Sequence, residues 1–224
     1  MKLVTNTQTN DFLQKISVMI LVVVAAFLIS CGGNKGTTGE AQAEDTATET
    51  EQKSGGLTFK EEDIKALKDK FIFDEAAGYY YHKHWNKSWP KRRTLTADVN
   101  KTGYFYLCSN LYGNKGLNHD MVEVKFGEET LKTEKVDIKN ASEHQTQKAD
   151  NGVFEVNYYT NYRDKGIFDR IGKSESGKEI VVRFVAPGYK SYADEPLPQS
   201  DYEALKDCYQ LSLVLRYEAA QGGQ

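Results

Sequence analysis

The sequence predicts an α+β fold, and three features of the residue pattern support this prediction. Apolar residues recur at helical spacing just after residue 58 and again after residue 200. Between these segments, apolar and polar residues alternate in separate runs, the pattern of strands with one buried face. We therefore expect an N-terminal helix, an antiparallel β-meander sheet and a C-terminal helix packed on the sheet.

The first helix is predicted to begin at Thr58. Thr58 and Glu61 have the spacing of a capping box, in which both side chains satisfy free backbone N–H groups at a helix start. Ile64, Leu67 and Phe71 follow at helical spacing. The pattern predicts a helix of about a dozen residues.

Four strands are predicted from alternation with a period of two. Turn residues separate the alternating runs, so neighbouring strands can join as hairpins. The alternating residues are Leu95, Ala97 and Val99; Val122, Val124 and Phe126; Phe154, Val156 and Tyr158; and Ile180, Val182 and Phe184. The turn signals lie at residues 100–103, 126–128, 150–152 and 176–177.

The second helix is predicted near the C-terminus. Ser200 and Glu203 form another capping box, and two prolines precede it. One helical stripe continues from there through Leu205, Cys208, Ser212 and Leu215.

Residues 1–30 have the composition of a signal peptide. Lys2 and Lys15 precede an uncharged apolar run at residues 16–30. This run is shorter than the roughly 20 residues that cross a bilayer, and it ends in small residues, so cleavage is expected. An uncleaved membrane helix is the alternative interpretation.

The segment from Leu28 to Gly32 resembles the lipobox of bacterial lipoproteins. This resemblance implies cleavage before Cys31, a diacylglycerol on the Cys31 thiol and anchoring to membrane lipid in the cell envelope. Gly32 stands where an inner-membrane retention signal has aspartate, so delivery to the outer membrane is permitted, on either its periplasmic or its surface face. The spread of acidic residues after Cys31 is similar to that of Bacteroidetes lipoproteins.

The remaining chain is expected to contain a tether and one domain. Residues 31–56 are rich in Gly, Thr, Ala and Glu and have too little apolar surface to fold, so they predict a flexible, acidic tether. Residues 57–224 are long enough for a single globular domain with one core. The net charge of -3 provides no basic field for nucleic acid, and no motif indicates a cofactor. The sequence does not define an oligomeric state.

Cys108 and Cys208 form a candidate disulfide, because an envelope protein folds in an oxidising compartment. The alternative interpretation is that both cysteines are small buried hydrophobic residues, since each has apolar neighbours.

No standard catalytic motif is present, and no catalytic residue is assigned. The metal-ligating candidates are His82 and His84, which alternate on a predicted strand and would need a third ligand from His119, Asp120 or His144. The alternative interpretation is a pair of histidines on a solvated sheet face.

The tyrosine and tryptophan content is more informative. Aromatic residues cluster on predicted strands, where outward tyrosines provide flat apolar area with a hydroxyl group. Our leading hypothesis is a non-enzymatic binding or structural module that contacts an envelope protein or glycan through Tyr81, Trp85 and Trp89. The alternatives are a hydrolase or metal-dependent enzyme built from His82, His84, His119 and Asp120, and a subunit of an envelope complex.

Overall fold

The computed structural model describes residues 52–54, 57–87, 91–149, 151–176 and 180–221. The predicted signal peptide, Cys31 and nearly all of the predicted tether lie outside these residues. The chain divides into two units, residues 1–50 with 75–77 and residues 51–74 with 78–224, and every element below belongs to the second. None of the helices described is both long enough and apolar enough to cross a membrane.

The described elements comprise strands, three α-helices and two short 3-10 helices. The strands are β1 (Gln52–Ser54), β2 (Leu57–Phe59), β3 (Phe71–Asp74), β4 (Tyr79–His82), β5 (Arg93–Asn100), β6 (Phe105–Gly113), β7 (Met121–Phe126), β8 (Glu129–Lys132), β9 (His144–Ala149), β10 (Gly152–Thr160), β11 (Ile180–Val185) and β12 (Tyr192–Pro196). The α-helices are α1 (Glu61–Lys68), α2 (Ile167–Lys173) and α3 (Gln199–Gln221), and the 3-10 helices are Lys83–Lys87 and Pro187–Tyr189.

The α+β class is confirmed, but the strands form more than one meander. β3, β4, β5 and β6 are consecutive neighbours in a six-stranded antiparallel sheet that continues with β10 and β9. A separate four-stranded antiparallel sheet has the order β12-β11-β7-β8. β1 and β2 pair with each other, so the predicted tether includes a short strand at its end.

The predicted hairpin turns join strands in both sheets. Asn100 and Gly103 turn the chain between β5 and β6: the Asn100 side-chain oxygen accepts hydrogen bonds from the backbone N–H groups of Thr102 and Tyr104, at 3.0 and 2.9 Å. Gly103 has φ of 79° and Gly127, between β7 and β8, has φ of 62°, backbone angles that favour glycine. The signal at residues 176–177 instead falls between α2 and β11.

Both predicted capping boxes are wrong. Thr58 pairs with Lys53 in the β1–β2 ladder, and α1 begins three residues later, after Lys60, which makes no side-chain capping bond. At α3, the Pro198 carbonyl accepts from the N–H groups of Asp201 and Tyr202, so Ser200 already lies inside the first turn. In each case the residues that precede the helix determine where it begins: the β1–β2 pairing before α1, and Pro198 before α3.

One hydrophobic core joins the two sheets and the helices. The predicted stripe of α3 faces this core: Leu205, Cys208, Ser212 and Leu215 are all buried. The Cys208 thiol lies 3.6 Å from the carbonyl oxygen of Ala97, which places α3 against one face of the six-stranded sheet. We call this the core face, and it contains Leu95, Ala97 and Val99 as predicted.

Candidate functional site

The opposite face of the six-stranded sheet is rich in tyrosine, and we call it the tyrosine face. Strand pairing assigns residues to it, because side chains alternate between the two faces and paired residues share a face. One row across the sheet is Tyr81, Asp98 and Tyr106, and the next is Thr96, Cys108 and Tyr158. The five tyrosines of this face, all half-buried, are Tyr79, Tyr81, Tyr106, Tyr112 and Tyr158.

A second apolar cluster lies on the tyrosine face. Cys108, Phe154 and Val156 are buried, and Tyr106, Tyr112 and Tyr158 pack against them. All of these residues belong to β6 and β10, so the sheet itself supplies the cluster. The predicted alternation in β10 is therefore correct, but its apolar residues face away from the main core.

Asp98 lies among these tyrosines. The rings of Tyr79 and Tyr106 meet edge to face with centroids 5.6 Å apart. Strand pairing places Tyr106 opposite Asp98, and Tyr79 opposite Asn100. The Cys108 thiol is 4.0 Å from the Asp98 carboxylate. Loss of water contact, with a smaller effect from the charge of Asp74, raises the pKa of Asp98 to about 7.

Asn110 has a buried oxygen atom without a hydrogen-bond partner. Its side-chain nitrogen donates to the Thr96 hydroxyl at 3.0 Å, whereas its Oδ1 atom has no partner among the described residues. An unsatisfied buried acceptor costs roughly 1–3 kcal/mol. Asn110 is 0% exposed, so this acceptor lies beneath the surface of the tyrosine face.

The core face contains a different polar arrangement, which we call the buried relay. The Ser109 hydroxyl lies 2.8 Å from His119 Nε2, and His119 Nδ1 lies 2.9 Å from the Glu155 carboxylate. The Glu155 carboxylate also accepts from the backbone N–H of Asn118 at 2.8 Å. These residues have the order of a serine, histidine and acid triad.

The buried relay is closed to water. Ser109 and His119 are 0% exposed and Glu155 is 1% exposed. Burial lowers the pKa of His119. Burial raises the pKa of Glu155, but hydrogen bonds from His119 and the Asn118 N–H outweigh this effect and hold it below its ordinary value. The relay thus links β6 to β10 and to the segment before β7 through satisfied polar contacts.

A third polar group lies at the start of α3. Asp201 accepts a hydrogen bond from the Trp85 indole N–H at 3.2 Å and from Arg92 at 3.3 Å, and its carboxylate is 2.8 Å from His84 Nε2. Trp85 is 6% exposed and belongs to the main core. These contacts attach the 3-10 helix at Lys83–Lys87 to α3.

The three aromatic residues that were predicted to bind a partner do not lie on one surface of the described structure. Tyr81 is half-buried on the tyrosine face. The prediction that Trp85 faces outward is wrong, because its ring fills the core and its N–H is bound to Asp201. Trp89 lies outside the described residues. The candidate face therefore keeps Tyr81 and also contains tyrosines from β6 and β10.

The candidate disulfide is absent from the structure. Cys108 and Cys208 are both free and buried. Cys108 is on the tyrosine face, whereas Cys208 of α3 contacts the core face, so the sheet separates them. Burial raises the pKa of both thiols well above the ordinary cysteine value.

The residues of the enzyme alternative lie in separate polar groups. His82 ends β4 and lies 3.2 Å from the Asp207 carboxylate, and His84 contacts Asp201. Both of these aspartates belong to α3. His119 belongs to the buried relay, and Asp120 is 4.0 Å from the Lys135 ammonium group. His144 lies near His119, with ring centroids 6.2 Å apart, but its nitrogens contact Asn157 and Thr146. Among the described residues, no three His, Cys, Asp or Glu side chains form a metal-binding group.

Sequence reasoning missed Ser109 and Glu155. Ser109 interrupts the apolar positions of its strand, because it lies at an alternate residue between Leu107 and Leu111. Glu155 gave no such signal, because it takes the polar position between Phe154 and Val156, which alternation predicts to face solvent. The sequence could not identify His119 as the partner, because that pairing depends on the β6–β10 register.

Comparison with known proteins finds no matching family model, no similar curated protein and no similar solved structure.

Proposed function

We propose that the protein is a lipid-anchored lipoprotein of the cell envelope, and that its folded part is a non-enzymatic binding module whose binding surface is the tyrosine face. The observation that carries this proposal is the alignment of five half-buried tyrosines on one sheet face, around a local apolar cluster. Tyrosine suits such a surface because its ring gives contact area at low entropic cost and its hydroxyl remains available for hydrogen bonds. The anchor at Cys31 is proposed from the lipobox alone.

The test compares substitutions on and off this face. Tyr81→Ala and Tyr106→Ala change the tyrosine face, whereas Tyr162→Ala changes a side chain that is 74% exposed in the loop between β10 and α2. We expect the first two variants to lose binding to isolated envelope components, protein or glycan, and the third to retain it. Equal binding by all three variants and the parent protein would contradict the proposal.

The buried relay supports a second candidate, a serine hydrolase with Ser109 as nucleophile, His119 as base and Glu155 as orienting acid. The observation in its favour is the pair of contacts at 2.8 and 2.9 Å. Against it stands the full burial of the serine, because a substrate carbonyl must reach the Ser109 oxygen. Labelling by a fluorophosphonate probe that is lost in Ser109→Ala would establish the hydrolase in place of the binding module; we expect no labelling.

A further inference from the structure

We propose that the open end of the tyrosine face binds a small quaternary ammonium ion, held over the Asp98 carboxylate between the rings of Tyr81 and Tyr106. This inference rests on the proposed function, because it assigns a ligand class to one part of the same surface. Three features carry it: the exposure of this end of the face, its negative charge and the surroundings of Asp98.

The tyrosine face is open at the end where β4 borders β5, which is the stretch of β5 from Asp98 to Asn100. At the other end of β5, Thr94 and Thr96 are 2% and 7% exposed, and the neighbouring Asn110 is 0% exposed. A ligand can therefore contact the side chains around Asp98 without entry into the buried end. The half-buried residues at the open end are Asp74, Tyr79, Tyr81, Asp98, Asn100 and Tyr106.

This end of the face is negatively charged. Strand pairing assigns Asp74 of β3 and Asp98 of β5 to the tyrosine face. Within the described strands, no Lys or Arg occupies a position that pairing assigns to this face. An anionic ligand would therefore lack a cationic partner there, whereas a cation would be attracted by the carboxyl groups.

Asp98 has no cation among the described residues to balance its charge. Its carboxylate is contacted by the Cys108 thiol at 4.0 Å, and the charge that acts on it is that of Asp74. Loss of water contact, together with this like charge, raises the pKa of Asp98 to about 7. A bound cation would stabilise the ionised form of Asp98, as a paired Lys or Arg does for other buried carboxylates.

Aromatic rings lie on both sides of this carboxylate. Strand pairing places Tyr81 and Tyr106 directly opposite Asp98, on neighbouring strands that are each about 4.8 Å away. The Tyr79 ring meets that of Tyr106 edge to face, with centroids 5.6 Å apart. A cation within about 6 Å of a ring centroid is attracted by the negative face of the ring, and such rings form the cages that recognise quaternary ammonium groups.

A quaternary ammonium ion suits this site better than a metal ion or a primary amine. A metal ion needs several ligands, and the described residues contain no group of three His, Cys, Asp or Glu side chains that could hold one. A primary ammonium group has three donors to satisfy, but the side-chain oxygen of Asn100 already accepts hydrogen bonds from Thr102 and Tyr104. A quaternary ammonium ion has no N–H donor, so it leaves no donor unsatisfied when the rings enclose it.

A free ion suits the face better than a phospholipid headgroup. Choline headgroups contain the same cation next to a phosphate group. That phosphate would have no Lys or Arg partner on the described strands of this face. We therefore assign the site to a quaternary ammonium ion that is free in solution.

The experiment is calorimetric titration of the full-length protein at pH 8 in an uncharged polyoxyethylene detergent. The probes are choline, its uncharged isostere 3,3-dimethylbutan-1-ol, ethanolamine as the primary amine, and glycerophosphocholine as the headgroup. We expect choline to bind with a Kd below about 1 mM and each of the other probes to bind at least about ten-fold more weakly. Choline binding that is no tighter than that of any one of the other probes would overturn the inference.

Matched substitutions locate the site. Asp98→Asn, which removes the charge and keeps the size, should weaken choline binding at pH 8 by at least about ten-fold. Tyr81→Ala should weaken it by about five-fold, whereas Tyr81→Phe, which keeps the ring, should weaken it by less than about two-fold. Tyr162→Ala, outside the face, should bind choline like the parent protein, and circular dichroism of each variant confirms folding. Equal affinity of Asp98→Asn and the parent would overturn the inference.

The pH dependence separates binding to Asp98 from contact with the rings alone. Because ionised Asp98 holds the cation, affinity should rise by roughly ten-fold between pH 6 and pH 8, on either side of its pKa of about 7. Asp98→Asn should remove this rise. The groups that face Asp98 are Asp74 of β3, Tyr79 and Tyr81 of β4, Tyr106 and Cys108 of β6, and Tyr158 of β10.

Three of these neighbours do not titrate in this range. Burial raises the pKa values of Tyr79, Cys108 and Tyr158, so they stay neutral between pH 6 and pH 8. An affinity of the parent protein that is constant or falls over this range would overturn the inference.

Failure of the ligand assignment can be separated from failure of the binding face. If envelope components bind in a manner that depends on Tyr81 and Tyr106 but choline does not bind, the ligand class is wrong and the proposed binding face remains. If neither choline nor any envelope component binds in a manner that depends on these tyrosines, both proposals are wrong.

Discussion

Asp98 and Glu155 are two carboxyl groups on the same six-stranded sheet. They differ in the sheet face that they occupy, in their neighbours and in the direction of their pKa shift. Glu155, on the core face, is bound to His119 and to the Asn118 N–H, and its pKa lies below the ordinary value. Asp98, on the tyrosine face, has a thiol as neighbour, and its pKa rises to about 7. Burial acts on both groups, so the partner decides the charge. The core face satisfies Ser109, His119 and Glu155, whereas the Oδ1 atom of Asn110 on the tyrosine face has no partner among the described residues.

Removal of Glu155 should give the largest effect. Glu155→Ala leaves the His119 ring and the Asn118 N–H without their acceptor in a water-free site, so the free energy of unfolding should fall by about 3–5 kcal/mol. Urea unfolding followed by circular dichroism measures this change. Glu128→Ala, at an exposed turn, should change it by less than about 0.5 kcal/mol. A loss below about 1 kcal/mol for Glu155→Ala would show that the relay is not structural.

Substitutions in the apolar clusters of the two faces should also differ in how much they lower the free energy of unfolding. Leu107→Ala removes a fully buried side chain from the main core and should cost about 2–5 kcal/mol. Tyr112→Ala, at a half-buried position of the smaller cluster, should cost less than half as much as Leu107→Ala in the same urea experiment. Equal losses would mean that the tyrosine face is packed as tightly as the core, which would contradict the binding role that we propose for it.

Asp98→Asn should stabilise the protein at alkaline pH, by about 1–3 kcal/mol at pH 8. The pKa of Asp98 is raised, so the folded chain retains a proton that the unfolded chain releases above about pH 4. The contribution of Asp98 to stability is therefore full below pH 4 and is lost as the pH rises towards 7. Urea unfolding of parent and variant between pH 4 and pH 8 measures the difference, and parallel curves would contradict the assignment.

The buried relay should have the opposite dependence on pH. The pKa values of His119 and Glu155 are both lowered on folding, so the unfolded chain takes up protons first as the pH falls. Stability from this group should decrease below about pH 6.5 and decrease further through the ordinary glutamate range. In the unfolding series, His119→Gln should show a weaker loss between pH 7 and pH 5 than the parent protein does.

Reduction should have the smallest effect. Because Cys108 and Cys208 lie on opposite sides of the sheet as free thiols, a reductant should change the free energy of unfolding by less than about 0.5 kcal/mol. Alkylation of the unfolded Cys31→Ser chain without reductant should modify both remaining cysteines. Recovery of a disulfide-linked peptide would contradict the separation of the two faces.

Elements that depend on local residue spacing could be predicted from the sequence, whereas features that depend on long-range contacts could not. The strand at Arg93–Asn100 and the buried stripe of α3 were predicted because alternation and helical spacing are local patterns. The position of Trp85 was wrong because its burial depends on Asp201, more than a hundred residues away. The helix starts were wrong because strand pairing and Pro198 controlled the preceding backbone.

By itself, the sequence determined the α+β class, the alternation within strands and the abundance of tyrosine, since each follows from residue type and spacing along the chain. Only the tertiary structure decided which face each strand turns to the core, because alternation is the same for both faces and the register across β5, β6 and β10 makes the choice. That register brings Tyr81, Asp98 and Tyr106 into one row and closes Ser109, His119 and Glu155 inside the protein.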